Sequence, residues 1–272
     1  MSSLSPLAFA LPALAMAGAA AGFAGGLFGI GGGFVVVPAL MLLLPALGVA
    51  AEQTAHVAVG TSLASIIFTS IRSTSSHAKR DAVDFGLLKG WAIWVVLGTA
   101  FGTVLADWVS GAHLALIFGT GVLAFAVFFM LPARQGEPLF AALPSGLPRA
   151  GIASALGAFS TLLGIGGGTL TTLTMTVCGT PIHRAIGTAA GMGAVIAIPA
   201  TLGFVVIGLG EAGRGWGALG YVHLPTAAVL VATSVLFAPL GVAAAHMLPP
   251  AVLRRVFALY LTAIGVLMIA KF

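Results

Sequence analysis

Long apolar runs divided by short polar breaks pattern this chain. In the first half, apolar stretches over 6–28, 34–47, 51–71, 85–106 and 114–131 predict five helical segments, because a run of about 20 apolar residues is what a bilayer-spanning helix requires. The second stretch is the exception: Pro38 and Pro45 interrupt it, and it is too short to cross comfortably. Residues 72–84, with Arg72, His77, Lys79, Arg80 and Asp81, read as a polar loop. The stretch 132–148, with Arg134, Gln135, Glu137 and four prolines, reads as a linker. No Lys or Arg precedes the first run, so that run reads as a helix and not as a secretory signal.

The second half repeats the first. Gly29-Ile30-Gly31-Gly32-Gly33 recurs as Gly164-Ile165-Gly166-Gly167-Gly168, at an offset of 135. His56-Val-Ala-Val-Gly60-Thr61-Ser62 recurs as His183-Arg-Ala-Ile-Gly187-Thr188-Ala189 at 127, and Val83, Gly102, Leu114 and Phe118 recur as Val222, Gly241, Leu253 and Phe257 at 139. Three blocks in one order indicate a duplication. The fold expected is an all-α membrane protein of two homologous five-segment repeats: 1–135 the first, 136–148 the linker, 149–272 the second.

Composition agrees. Of 272 residues, 60% are hydrophobic and 6% charged, a balance no water-soluble core needs. The net charge of +5 comes from short loops, where Lys and Arg orient membrane helices, so it implies the lipid bilayer as partner and no nucleic acid. The single cysteine, Cys178, excludes an internal disulfide and any multi-cysteine metal site. No signature of a cofactor or a metal centre is present. Nothing in the sequence speaks to oligomeric state.

An odd number of segments per repeat makes the second copy enter the membrane from the opposite side, as in the inverted repeats of many transporters. With the 72–84 loop inside, the inverted arrangement places Arg72, Lys79, Arg80, Lys89, Arg134, Arg149, Arg184, Arg254 and Arg255 inside and only Arg214 and Lys271 outside, nine to two. A parallel arrangement gives eight to three, so charge leans towards inversion.

The chemistry is expected at the glycines. Three in a row break a helix, and a break in lipid is tolerable only when it is buried in protein or lines a polar cavity. A helix restarting after such a turn presents unpaired amides and the positive end of its dipole, which suits an anion. Gly31, Gly32 and Gly33 are therefore expected against Gly166, Gly167 and Gly168 near the bilayer midplane, gripping one small anionic substrate. Thr169 and Thr171 are candidates to add hydrogen bonds, as are Thr61, Ser62 and Thr188, which sit one turn or more beyond the repeated histidines. His56 and His183, the ionisable pair common to both halves, are candidate proton carriers. The isolated spacings Gly18 to Gly22, Gly98 to Gly102 and Gly187 to Gly191 read as close helix packing.

Gly-Ile-Gly-Gly-Gly-Phe followed by a proline, then Val-Gly-Thr-Ser-Leu, then a second Gly-Ile-Gly-Gly-Gly and His-Arg-Ala-Ile-Gly-Thr, resemble the TauE/SafE sulfite exporter family over nearly the whole chain. The resemblance implies a multi-pass permease of the bacterial inner membrane, a secondary transporter and usually an exporter of sulfite or organosulfonates such as sulfoacetate. Ala189 stands where the first copy has Ser62, and Thr169 where it has Phe34, so the two halves of the site are not equivalent. A passive anion channel could use the same amide cradles. An intramembrane hydrolase would need a buried aspartate pair, which the sequence lacks, or a Ser and His dyad, which only the fold could bring together; a metal-cation transporter would need buried carboxylates or several His and Cys ligands, and these are absent.

Overall fold

The computed structural model describes residues 4–130, 140 and 142–271. Among them ten α-helices follow one another: α1 (Leu4–Phe28), α2 (Gly33–Leu43), α3 (Ala51–Ala78), α4 (Phe85–Trp108), α5 (Gly111–Met130), α6 (Gly146–Leu163), α7 (Gly168–Val177), α8 (Ile182–Ile207), α9 (Leu224–Met247) and α10 (Pro250–Lys271). The order long, short, long, long, long is the same in both halves. Five stretches are long and apolar enough to cross a membrane: Phe9–Phe28, Ala51–Ala78, Phe85–Trp108, Ile182–Ile207 and Leu224–Met247. The outer faces carry exposed Phe9, Leu97, Phe101, Leu202, Leu236 and Leu240, a surface suited to lipid and not to water.

Three elements depart from the sequence reading. First, α3 runs on to Ala78, so 72–78 is helix and the polar loop shrinks to 79–84. Two of its hydroxyls are satisfied without leaving the helix: Thr74 donates to the Ser70 carbonyl at 2.6 Å and Ser76 to that of Arg72 at 3.0 Å. Second, Pro45 ends the short segment early; α2 stops at Leu43, and a 3-10 turn, Pro45–Leu47, carries the chain into α3. Third, the connection from α8 to α9 holds a small antiparallel ladder, β1 (Ala218–Leu219) with β2 (Val222–His223), pairing Ala218 with His223 and Leu219 with Val222. The expected linker lies partly outside the described residues, and α6 opens at Gly146 with Pro148 in its first turn, where a missing N–H costs nothing.

Helix directions follow from which residues meet. Gly18 lies against Leu230, Gly22 against Ser234 and Gly26 against Ala238, so α1 and α9 run the same way; Gly98 against Ser154 and Gly102 against Ala158 set α4 and α6 the same way. At the centre α3 and α8 run in opposite directions, with Gly60 against Phe204, Ser70 against Gly193 and His77 against Gly187. Opposition holds for α5 and α10 too, where Gly119 meets Ile269 and Leu123 meets Gly265.

The glycine spacings read as packing devices do pack. In lipid there is little hydrophobic gain between helices, so close backbone approach through small residues supplies the contact. A Cβ on Gly98 would land within the radius of the Ser154 carbonyl oxygen. Gly98→Ala should therefore destabilise by about 1–3 kcal/mol and lower the thermal midpoint in detergent. Gly151→Ala on α6, with nothing within 4 Å of the added methyl, should leave the midpoint unchanged or raise it. Equal midpoints for the two variants would contradict this packing.

Candidate functional site

Both triple-glycine segments are true interruptions. α1 ends at Phe28, Gly29, Gly31 and Gly32 take φ of 69°, 69° and 88°, and α2 restarts at Gly33; α6 ends at Leu163, Gly164, Gly166 and Gly167 take 62°, 62° and 72°, and α7 restarts at Gly168. Positive φ at three equivalent positions in each half is what calls for glycine there, since an L side chain is strained in that region. The chain then folds back along the helix it has just left: Gly32 lies against Ala21 and Gly167 against Leu156.

The two breaks meet each other. Gly33 sits against Gly164 and Ile165, Gly168 sits against Gly29 and Ile30, and the Ile66 side chain touches both Gly31 and Gly166. Every residue of both breaks is buried. Ile66 and Gly193 lie near the middle of α3 and α8, so the meeting point is deep within the helix bundle. At the start of α2 and of α7 the first amides have no intrahelical acceptor, and the two helix dipoles place their positive ends there.

Hydroxyls surround this point, several of them without a partner. Ser70 lies against Gly31 and Gly193 and Ser160 against Gly167; both side chains are wholly buried, and neither hydroxyl has a hydrogen-bond partner. Thr169, next to the restart of α7, is 1% exposed and its hydroxyl also lacks a partner. An unpaired buried hydroxyl costs about 1–3 kcal/mol, so three beside the breaks are costly unless something else pairs with them. Ser70 and Ser160 were not legible as site residues, since each is one serine in an apolar helix; only the spacing of Ser160 four residues ahead of Gly164 hints at its place.

The remaining candidates have other partners. Ser62 donates to the Gly164 carbonyl at 2.9 Å, tying α3 to the second break, and Thr171 donates to the Gly167 carbonyl at 2.9 Å. Thr61 and Thr188 perform matching tasks at opposite ends: the Thr61 hydroxyl accepts from the His223 amide at 2.9 Å and the Thr188 hydroxyl from the Asp84 amide at 2.8 Å. Each half thus clasps the residue that precedes the fourth helix of the other. The histidines match likewise. His56 Nε2–H donates to the Ala106 carbonyl at 3.0 Å and His183 Nε2–H to the Ala245 carbonyl at 3.1 Å, each pinning the far end of the fourth helix in its own half. Among the described residues no group of three or more His, Cys, Asp or Glu is placed to hold a metal ion.

With this geometry in view, comparison with known proteins gives a consistent result. The family model described as "Sulfite exporter TauE/SafE" matches residues 14–268. The chain belongs to the TauE/SafE family. It is also 33% identical over 215 residues, 79% of this chain and 81% of the relative, to a "Probable membrane transporter protein" of Haemophilus influenzae. No solved structure matches. This TauE/SafE chain is therefore a multi-pass membrane transporter protein and not a member of an enzyme class.

Outside the spans, His223 is expected to give the stability of this chain a pH dependence. Its Nδ1 accepts from the Thr226 hydroxyl at 2.7 Å at the head of α9, and burial pushes its pKa below the ordinary 6.5. The fold favours the neutral ring, so this part of the stability is complete above pH 6.5 and is lost as pH falls through the depressed value. Thermal midpoints measured between pH 7.5 and about 5 should fall in the parent and fall less in His223→Gln. Parallel curves would show that His223 is not responsible.

Proposed function

We propose that this protein is a secondary transporter that exports small sulfur oxyanions, sulfite or organosulfonates, across the bacterial inner membrane, holding the anion between the two glycine breaks. The observation that carries the reading is the meeting of two buried helix restarts beside the unpartnered hydroxyls of Ser70, Ser160 and Thr169. Amides and hydroxyls are donors without a formal charge of their own. They can replace the hydration shell of an anion and still release it, which transport requires and tight binding does not. Membership in a family described as sulfite exporters supports a sulfur oxyanion as the solute and the outward direction.

The same reading makes the halves an inverted repeat. Antiparallel α3 and α8, with α4 and α6 parallel, fit a two-fold axis lying in the membrane plane. The Arg184–Asp84 ion pair at 3.3 Å puts the start of α8 on the same side as the 79–84 loop, in keeping with the inverted arrangement of charges. Such a design lets one half rock against the other about a shared central site.

Thermal stability of the purified protein should rise with sulfite or sulfoacetate by an amount set by ligand concentration over Kd. Ser70→Ala and Ser160→Ala should each weaken that binding by roughly tenfold or more, the worth of one hydrogen bond to a charged group. Gly167→Val, which combines positive φ with a clash on Ile196, should abolish it. In proteoliposomes a carrier gives saturable counterflow, whereas a passive channel passes current without exchange. No shift with any sulfur oxyanion and unchanged flux in Gly167→Val would overturn the proposal.

A further inference from the structure

Three histidines from three helices gather at one end of α3. His77 Nε2 lies 3.1 Å from the Gly26 carbonyl, so that nitrogen carries the hydrogen and donates it. Its Nδ1 is then bare, and it accepts at 3.2 Å from Nε2–H of His246 on α9. His183, at the start of α8, stacks on His246 with ring centroids 5.2 Å apart and an interplanar angle of 21°. These bonds, with that of His183 Nε2–H to the Ala245 carbonyl, fix every tautomer and leave two bare nitrogens, Nδ1 of His246 and Nδ1 of His183, of which only the one on His246 belongs to the ring bonded to His77. Adding a proton to His77 Nδ1 instead would set two N–H groups face to face.

The other half shows that the fold does not need this cluster. By the offsets of the repeat, His77 corresponds to Phe204: His77 packs on Gly187 as Phe204 packs on Gly60. At that end His56 stacks on Tyr221, with centroids 5.0 Å apart, and Phe204 meets Tyr221 edge-on at 6.4 Å. An aromatic plug does the packing there. The two further imidazoles here, His77 and His246, are a chemical addition and not a packing requirement.

A line of hydroxyls joins the cluster to the glycine breaks. Ser70, Ser73 and His77 are spaced three and four residues apart on α3 and so share one face; all three side chains are wholly buried. Neither serine hydroxyl has a partner, and Ser70 touches the first break. His77 holds the carbonyl of Gly26 on the last turn of α1, just before the break. The groups that face the cluster are Gly26 from α1, His183 from α8, His246 from α9 and Arg80 beyond the end of α3, with the Arg184–Asp84 pair adjoining His183 in sequence and bridging to the 79–84 loop.

We infer that His77, His246 and His183 form a one-proton site that loads a proton together with each solute anion, making the protein a proton-coupled cotransporter. The proton enters on His246 Nδ1, is shared across the His246–His77 hydrogen bond, and leaves by the same nitrogen. Two imidazoliums this close repel, so the cluster holds one proton at a time. A cation at this end eases the entry of an anion into a site of low dielectric, and the anion in turn favours protonation, a reciprocal coupling. His56, on the aromatic end, takes no part. The inference rests on the reading of the breaks as the anion site, and its tests separate the two.

Histidine-selective nitrogen NMR across pH 5–8 on the detergent-solubilised full chain tests the site without any solute. The signals of His77 and His246 should titrate together, and in His77→Phe, which copies the residue of the other half, His246 should titrate as an isolated ring. Three independent titrations in the parent would overturn the inference, whatever the solute. In proteoliposomes, an inward gradient of sulfoacetate, whose acid groups stay ionised near neutral pH, should acidify the lumen. Acidification per anion should fall roughly tenfold in His246→Gln and in His77→Phe, while His113→Gln, at the opposite end and bonded to Ser110, matches the parent. Sulfoacetate entry with an unchanged lumenal pH would also overturn the proton site and leave the anion site standing. Absence of any thermal shift with sulfoacetate would count against the anion site alone.

Discussion

Inside hydrocarbon every backbone amide must find a partner, and this one requirement shapes the molecule. Two helices are interrupted deep in the bundle, where an exposed interruption would be prohibitive, and each is made tolerable by being pressed against the other. Gly33 against Gly164 and Gly168 against Gly29 leave no lipid contact at either turn. Around them the chain spends glycine to bring helices close, and apolar side chains fill the core as well as the outer faces. Within that apolar interior α3 also carries polar groups, burying Ser62, Ser65, Thr69, Ser70, Ser73, Ser76 and His77.

Duplication supplies the scaffold, and divergence supplies function. The features that recur position for position are structural: the positive-φ glycines, the Thr61 and Thr188 clasps, the His56 and His183 pins on Ala106 and Ala245. The features that differ are polar groups beside the breaks and at the histidine end, two of them, Ser70 and Ser160, with unused hydrogen-bonding capacity. Ser62 faces Ala189 across the repeat, Ser70 faces Ala197, Ser160 faces Gly25 and His77 faces Phe204. A transporter with identical halves has no inherent difference between its two faces. On the proposed inverted-repeat reading, these substitutions give this chain one.

The helix breaks, the short second helices and the packing glycines were legible because each rests on a local rule: φ for glycine, the missing amide of proline, the i to i+4 spacing of small residues. The extension of α3 through 72–78 was not, since charge and serine content there look like a loop and only burial against α8 and α9 keeps it helical. The roles of the repeated threonines and histidines were hidden for a different reason. Their partners lie 50 to 162 residues away, and a motif read alone says only that a polar group recurs. The three-histidine cluster escaped because His77 and His246 have no histidine at the equivalent positions, which a search for repeated residues passes over.

The central claim is that an anion sits between the two breaks. Its most direct test is anomalous scattering from selenite, a heavy analogue of sulfite, in crystals of the full chain grown in lipid. The account expects a peak within hydrogen-bonding reach of the α2 and α7 restarts and of Ser70, Ser160 or Thr169. A well-occupied peak elsewhere with nothing at the breaks, or helices running continuous through 29–33 and 164–168, would contradict it.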